Sequence, residues 1–517
     1  MENLREMLRN QNYEKIWKSY LGFLDLDISE FMIIQKRLLH EQIELLNQSK
    51  LGIKLFGNQK IETIDDFRTK VRLTTYDDYA ETLLNKKSDD LPSEPLHWVQ
   101  TTWKGGTNSI KLAPYSKNMV TENTKMFLAS LILSTSKSRG DFTLRNRDKF
   151  LYGMAPRPYL TGYAPYILKH EIDFKYYPET NAAEKMSFKE RNVEGFKLSI
   201  QHGADLFYGV SSVLVKIGES FANTASKSKM VWPKNFKQAR RLIKAYYKKK
   251  IKHEQLLPKD MFVFKGIVCG GTDSATYKKR IEELYGVTPL EIFGGTESAG
   301  VATETWSRNG LTFFPDVNFL EFIPTTELAK EAETLGYQPK TLLLDEIEPG
   351  ETYELVITKL RGGAFVRYRI GDIMKCIALE NKEDKVKLPQ VIYLDRVQNI
   401  IDLAGFTRLT KQNVGDSIKL SNLDIEHFIA RKEYVKDQPI IHLYVESNES
   451  AETIHEVINK QLKQIDTDYH DVGEMLGYDP LKVTVIKEDS FNNFTQENGY
   501  YPSIMNPSDA VMQSLLE

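Results

Sequence analysis

Cysteine is almost absent. Among 517 residues only Cys269 and Cys376 occur, too few for a disulfide framework and in keeping with a reducing compartment. Both lie in apolar, strand-like runs, where cysteine acts as a small buried hydrophobe. An excess of either charge is missing too. The 69 Lys+Arg against 71 Asp+Glu leave a net charge of −2, without the basic footprint of a nucleic-acid binder. Long hydrophobic runs are lacking: FMII and MFVF fall far short of a membrane span. The opening MENLREMLRNQNYEKIW is polar and has no apolar core of a signal peptide. The expectation is a cytoplasmic protein without nucleic-acid or membrane partners; its oligomeric state is not legible. Several site signatures are also missing. There is no GxxxxGK[ST], no GxGxxG after a strand, and no metal-ligand spacing among the nine histidines. Ser211-Ser212 in YGVSSV lack the glycine-flanked nucleophile elbow.

What is present is an ordinary globular composition, 41% hydrophobic and 27% charged, on a chain of 59.6 kDa that is too long for one core. Ile28, Phe31, Met32, Leu38, Leu39, Ile43 and Leu46 share one helical face. Residues 234–252 carry a dense Lys/Arg run interleaved with Leu242, Ile243, Tyr246 and Tyr247, an amphipathic helix with a solvated basic face. MFVFKGIVC reads as a buried strand. Tyr277, Ile281, Leu284 and Tyr285 then mark a helix ended by Gly286, and PLEIF reads as a second strand. Strand, helix, strand at this spacing is a βαβ unit with parallel strands. The polar loop GGTESAG follows, outside a strand's carboxyl end, where open α/β sheets bind ligands.

Next come NFLEFIP, YELVITKL and FVRYRIGDIMKC, separated by Pro349-Gly350 and Gly362-Gly363, which reads as antiparallel β structure. From about Gly405 an α+β segment follows. It holds the strand PIIHLYV, a helix with Ile454, Val457, Ile458, Leu462 and Ile465 on one side, and the strand LKVTVIK. DRVQNIIDLAG is the expected boundary between these parts.

Three polar clusters sit at strand ends. TTWKGGTNSIK, residues 101–111, is rich in Gly and hydroxyl groups and ends in a lysine. That composition suits a loop whose N–H groups wrap phosphate, although on its own it reads first as a surface turn. In FGGTE, residues 293–297, an aromatic can stack on a base, the glycines admit a close ligand, and Glu297 can hold Mg²⁺. In YRIGD, residues 368–372, Asp372 beside a tight turn can accept both hydroxyls of a ribose, or simply form the turn after Gly371.

Taken together and in this order, these segments resemble the adenylate-forming superfamily of acyl-CoA synthetases, luciferases and peptide-synthetase adenylation domains. Within it they resemble most the plant auxin-responsive acyl acid–amido synthetases and their bacterial relatives. FGGTE is similar to the superfamily's aromatic-Gly-x-Thr-Glu motif and FVRYRIGDIMK to its Tyr-Arg-x-Gly-Asp motif. Asp395 to Gly405 resembles its hinge motif. DDFRTKVRLTTYDDY and LGYDPLKVTVIKEDSFNNF resemble the family's N-terminal and C-terminal segments. The resemblance implies ATP and Mg²⁺ as cofactors, with a carboxylic acid and an amine as partners. Phe293 would stack on adenine, with Gly294, Gly295 and Thr296 beside it, and Glu297 would sit near Mg²⁺ and the phosphates. Asp372 would bind the ribose and Arg396 the ribose or phosphate, while Thr101, Thr102, Gly105, Gly106 and Thr107 would line the phosphate loop. Joining a carboxylate to the α-phosphorus of ATP needs neutralised charge and held geometry more than a protein nucleophile, which fits a chain with no triad.

Two departures stand out. Trp103 and Lys104 interrupt the phosphate loop where the family has small residues. The tail has no lysine beyond Lys487, and Tyr500 or Tyr501 takes the place of the lysine the family uses in adenylation. Lys104 is therefore the candidate to supply the missing charge, with Lys111 second. The expected fold is α/β: a large N-terminal domain with mixed sheets, residues 1–398, and a small mobile α+β domain, residues 399–517, hinged at Asn399. The expected activity is ATP-dependent activation of a carboxylic acid as acyl-adenylate and transfer to an amine. The alternatives are acyl-CoA ligation and a half-reaction protein that binds an adenylate made elsewhere.

Overall fold

The computed structural model describes residues 2–101, 110–227, 255–271, 274–334, 336–396, 400–405, 407–498, 501–502 and 504–516. The basic segment 234–252 lies outside them. The described chain divides into two compact units, one of Met1–Thr101 with Leu112–Leu394, the other containing Asp395–Glu517.

The first unit is organised by one eleven-stranded sheet. In spatial order its strands are Asn318–Pro324, Thr352–Lys359, Tyr368–Ala378, Gln390–Arg396, Leu311–Phe313, Ala299–Glu304, Leu290–Gly295, Gly266–Gly270, Leu206–Val210, Lys149–Gly153 and Lys175–Tyr177. The last five are parallel to one another, and the expected βαβ unit is the pairing of Val268 with Leu290 across the helix Ser274–Tyr285. Gly286 follows that helix at φ +76°, the left-handed C-terminal position glycine favours. The antiparallel strands expected downstream form, and they join the same sheet. MFVFKGIVC is shorter as a strand than its sequence suggests, beginning only at Gly266. Phe262 and Phe264 instead pack edge to face at 5.1 Å in a side cluster with Phe196 and Tyr285. Periodicity in a short apolar run does not separate these two outcomes.

Two helices brace the sheet. Lys117–Ser134 is buried continuously from Met126 to Ser134, which explains its lack of a polar face, and it packs on the strands Gly266–Gly270, Leu290–Gly295 and Ala299–Glu304. Ile28–Asn47 starts with a capping box at Asp27 and buries the expected Phe31, Met32, Leu38, Leu39, Ile43 and Leu46. The same face buries two amides. Gln35 exchanges hydrogen bonds with the Asn318 carbonyl (2.8 Å) and the Leu320 N–H (3.0 Å). Gln42 does so with the Gly363 carbonyl (2.9 Å) and the Gly362 N–H (2.8 Å), tying this helix to the antiparallel strands.

In the second unit His427–Val435 and Gln438–Glu446 form a hairpin, and Leu481–Val485 adds in parallel. Helix Ala451–Ile465 makes the crossover and buries Ile454, Ile458 and Leu462. This is the expected α+β arrangement. Among the described residues no helix is long and apolar enough to cross a membrane. Both cysteines are buried and unpaired, and burial pushes the Cys269 thiol up to about 12.

Candidate active site

FGGTE is not an open loop. Phe293, Gly294 and Gly295 belong to the strand Leu290–Gly295, and the chain reverses over Thr296–Ser298 into Ala299–Glu304. The reversal is tight enough to fix its residues. A Cβ on Gly294 would lie 2.1 Å from the Ala299 carbonyl oxygen, and one on Gly300 would lie 1.9 Å from Met126 Sδ. Ala299 itself takes φ +60°. The Gly295 N–H donates to Ser298 Oγ at 2.9 Å.

Hydroxyl, ammonium and amide donors hold this turn. Tyr115 Oη donates to the Thr296 carbonyl at 2.6 Å, and Lys359 Nζ and Asn318 Nδ2 donate to the Ser298 carbonyl at 2.7 and 2.9 Å. Lys359 is completely enclosed. Burial pushes its ammonium down to about 7, with Asp316 pulling the other way. Burial, helped by the Glu297 carboxylate, raises Tyr115 well above the ordinary phenol range.

YRIGD meets the turn through its tyrosine, as Tyr368 Oη donates to Glu297 Oε1 at 3.3 Å. Asp372 is not beside a terminal turn but inside a β-bulge. Glu354 pairs with Ile373 and Val356 with Arg369, so Ile370, Gly371 and Asp372 are looped out of the ladder. Gly371 takes φ +81° there, and Asp372 is 4% exposed. Arg369 anchors the bulge with two bonds to Glu354 (2.9 and 2.6 Å) and one to Glu331 (2.7 Å). The N-terminal segment TTYDDY locks onto the same strand. The Thr74 N–H and carbonyl bond to Arg367 and Arg369, and Thr74 Oγ1 and Tyr79 Oη both donate to the Val366 carbonyl.

Phe293 packs against Tyr393, ring centroids 5.6 Å apart at 28°. The structure thus brings Phe293, Gly294, Gly295, Thr296, Glu297 and the Tyr368–Asp372 strand into one neighbourhood. Thr101 is buried just past the strand Pro95–Gln100, whose hairpin partner Leu112–Ser116 receives the chain after the loop. Tyr76 Oη pins the exit of that loop, accepting from the Leu112 N–H at 2.6 Å. Thr102, Lys104, Gly105, Gly106, Thr107, Asn399 and Tyr500 lie outside the described residues. Arg396 ends its strand and is grouped with the second unit. There, burial raises the Asp402 carboxyl, but Arg408, Lys432 and Arg396 outweigh it and hold it at about 2. Tyr501 stacks on Phe491 (5.7 Å) and bonds His427 Nδ1 at 2.9 Å. Sequence reasoning missed Tyr115, Lys359 and Tyr393. Of these only Lys359 left a trace, as a lone cation in the apolar run YELVITKL.

Comparison with known proteins adds an independent line. Residues 21–154 match the GH3 family N-terminal domain and residues 311–390 the GH3 family central domain. Two stretches of the chain are thus similar to GH3 domains. The first contains the helix Ile28–Asn47, the segment 101–111 and the hairpin strands that flank it, and the second contains the Tyr368–Asp372 bulge. Curated relatives include the jasmonoyl–L-amino acid synthetase JAR4 of Nicotiana attenuata, 30% identical over 134 residues, which are 25% of this chain and 21% of that protein. The jasmonoyl–L-amino acid synthetase GH3.5 of Oryza sativa subsp. japonica is 23% identical over 292 residues, 50% of this chain and 48% of that one. The matched stretches thus span about a fifth and about half of those relatives' lengths. Among solved structures the fold matches AtGH3.15 acyl acid amido synthetase in complex with 2,4-DB at TM-score 0.52 and 14% identity, covering 96% of this chain and 95% of that one. It also matches 2-hydroxyisobutyryl-CoA ligase in complex with 2-HIB-AMP and CoA in the thioesterification state, at TM-score 0.56 and 14% identity, covering 93% and 94%. The expected α/β fold, a large N-terminal part followed by a smaller α+β part, is the one these proteins share.

Proposed function

We propose that this protein is a cytoplasmic, ATP-dependent and AMP-forming ligase that activates a small carboxylic acid as its adenylate and transfers the acyl group to an amine. The observation that carries the reading is the junction of the two motifs, the glycine-constrained turn Phe293–Glu297 joined through Tyr368 to the bulge holding Asp372. Phe293 offers a ring face to a base, and Asp372 offers a carboxylate to ribose hydroxyls. The GH3 domains and the amino acid synthetase activity named for their relatives point the same way.

Mg²⁺ fits the donor set. It is bound through one or two carboxylates plus substrate phosphates rather than in an all-protein cage. Glu297 supplies a partly exposed carboxylate, whereas no cluster of three or more acidic, His or Cys ligands occurs among the described residues. Bound there, the ion would neutralise charge on the reacting phosphates. Thr101, Thr102, Gly105, Gly106 and Thr107 would enclose those phosphates, and Lys104, or Lys111, would supply the mobile cation that the tail lacks. Arg396 would bind the ribose or phosphate beside the hinge at Asn399, with residues 1–398 and 399–517 as the two parts of the chain.

Mass spectrometry of products formed from ATP with pooled acids and amines tests the reading. An amide with stoichiometric AMP supports it; a thioester made only with added CoA replaces it by acyl-CoA ligation. Pyrophosphate exchange in wild type, lost in Lys104→Ala, supports the role of that lysine. Exchange that survives in both Lys104→Ala and Lys111→Ala refutes it.

A further inference from the structure

A narrow pocket opens at the far end of the parallel strands. Its walls include Tyr152, Tyr166, Tyr176, Pro178, Glu184 and Arg191, around about 330 Å³ of space that includes its open mouth. Tyr152 and Tyr176 stand on the adjacent parallel strands Lys149–Gly153 and Lys175–Tyr177, and Arg191 on the first turns of helix Phe188–His202. Like the Phe293–Glu297 turn, the segments after these strands lie at the carboxyl edge of the sheet, where ligands bind in such folds.

Arg191 is only 4% exposed, and although the Glu184 carboxylate acts on it from a distance, among the described residues no carboxylate comes close enough to form an ion pair with it. Its two Nη groups donate to the Met154 and Ala183 carbonyls at 3.0 and 2.6 Å, and its Nε has no acceptor. Tyr176 Oη is likewise buried without a partner. The acid of the pocket, Glu184, is already taken by Arg157, through bonds of 2.9 and 2.6 Å, and Arg157 lies over the Tyr166 ring at 4.2 Å. The remaining titratable wall, Tyr152, donates to the Thr161 carbonyl. Two guanidinium groups therefore share one carboxylate, and the unmatched one is the deeper. A buried charge without a counterion is costly, and buried donors without acceptors are rare. Both point to an anion whose oxygens complete the set.

We propose that this pocket binds a small carboxylate, its oxygens accepting from Arg191 Nε and Tyr176 Oη. Most of that space is the open mouth, and the enclosed part is about 20 Å³, room for the carboxylate end of a compact acid rather than for a whole large ligand. The ligand is either the acid that is activated or a separate small acid; the carboxylate chemistry is common to both. The site stands on its own walls and does not depend on the nucleotide chemistry of the turn.

Calorimetric titration of the intact protein with sodium benzoate, and with benzamide as its uncharged counterpart, tests it. Benzoate should bind and benzamide should not. Arg191→Met should weaken benzoate by about tenfold or more, the loss of a charge-assisted hydrogen bond. Tyr176→Phe should weaken it several-fold with an unchanged melting temperature. If Arg191→Met fails to fold because its carbonyl ties are lost, Tyr176→Phe decides alone. Absence of benzoate binding in wild type, equal binding of benzamide, or full affinity in Tyr176→Phe overturns the site. Benzoate-dependent pyrophosphate exchange with a raised KM in Tyr176→Phe identifies the ligand as the activated acid. Benzoate binding without such exchange identifies a separate acid. No exchange with any acid bears on the proposed reaction and leaves the titration result standing.

Discussion

A methyl group on Gly294 has no room, because its Cβ would come within 2.1 Å of a backbone oxygen, whereas one on Gly295 would meet Ser298 Oγ at an ordinary 3.5 Å. Gly294→Ala should therefore lower unfolding free energy by about 1–3 kcal/mol, as overpacking does, and Gly295→Ala should stay within about 0.5 kcal/mol of wild type. Urea unfolding of the pair checks the contrast. Lys359 gives a pH signature. In the folded protein it loses its proton near pH 7, at about 7, whereas the unfolded chain keeps it to about 10.4. Between those values the unfolded state binds more protons, so this residue makes stability rise with pH, at no more than about 1.4 kcal/mol per unit. Lys359→Met should flatten that rise between neutral pH and the lysine's unfolded value. Equal slopes in the two proteins would mean that Lys359 keeps its charge when buried.

At the scale of elements, the bulge separates two effects that a single substitution would confound. Gly371→Ala forces a side chain into φ +81° and should cost about 1–2 kcal/mol of stability. It should weaken nucleotide binding as well, since it moves the neighbouring Asp372. Asp372→Asn should keep stability and lose about 1.5–3 kcal/mol of nucleotide affinity, the range for hydrogen bonds to a charged group. Calorimetric ATP titration beside thermal unfolding reads both; full affinity in a folded Asp372→Asn protein would remove Asp372 from the site. The bulge also marks what sequence could convey. Gly-Asp after an alternating strand signals a break, and the apolar periodicities of Ile28–Asn47 and Ala451–Ile465 placed their buried faces correctly. Whether the break is a turn or a loop within one continuous strand depends on the register against Glu354 and Val356, which belongs to the partner strand. For the same reason Tyr115 and Tyr393 were invisible. Each lies far along the chain from the residue it supports, and nothing in its own neighbours marks it.

For the whole molecule, the proposed alternation between half-reactions predicts that Asn399→Pro, which fixes φ at a hinge, spares one half-reaction and impairs the other. Pyrophosphate exchange read beside amide formation checks it, and equal loss of both would place the hinge elsewhere. That the parallel and antiparallel strands share one sheet was not legible either, because the joint is made by the short strand Leu311–Phe313 and its distant partner. That joint has a further consequence. Leu311 is register partner to Val391, so residues 311–390, the span that matches the GH3 family central domain, build the antiparallel end of the sheet and return beside their starting point. Closing a loop on the order of 80 residues costs about 4 kcal/mol of chain entropy. The successive hairpins inside it, Asn318–Pro324 with Thr352–Lys359 and then Tyr368–Ala378, can form beforehand and shorten the free chain to be closed. Its two ends lie side by side, about 5 Å apart across an antiparallel pair. A segment with that geometry could be exchanged as a cassette carrying Tyr368 and Asp372 only together with its partners outside it, because Gln35, Gln42 and Thr74 are hydrogen-bonded into it.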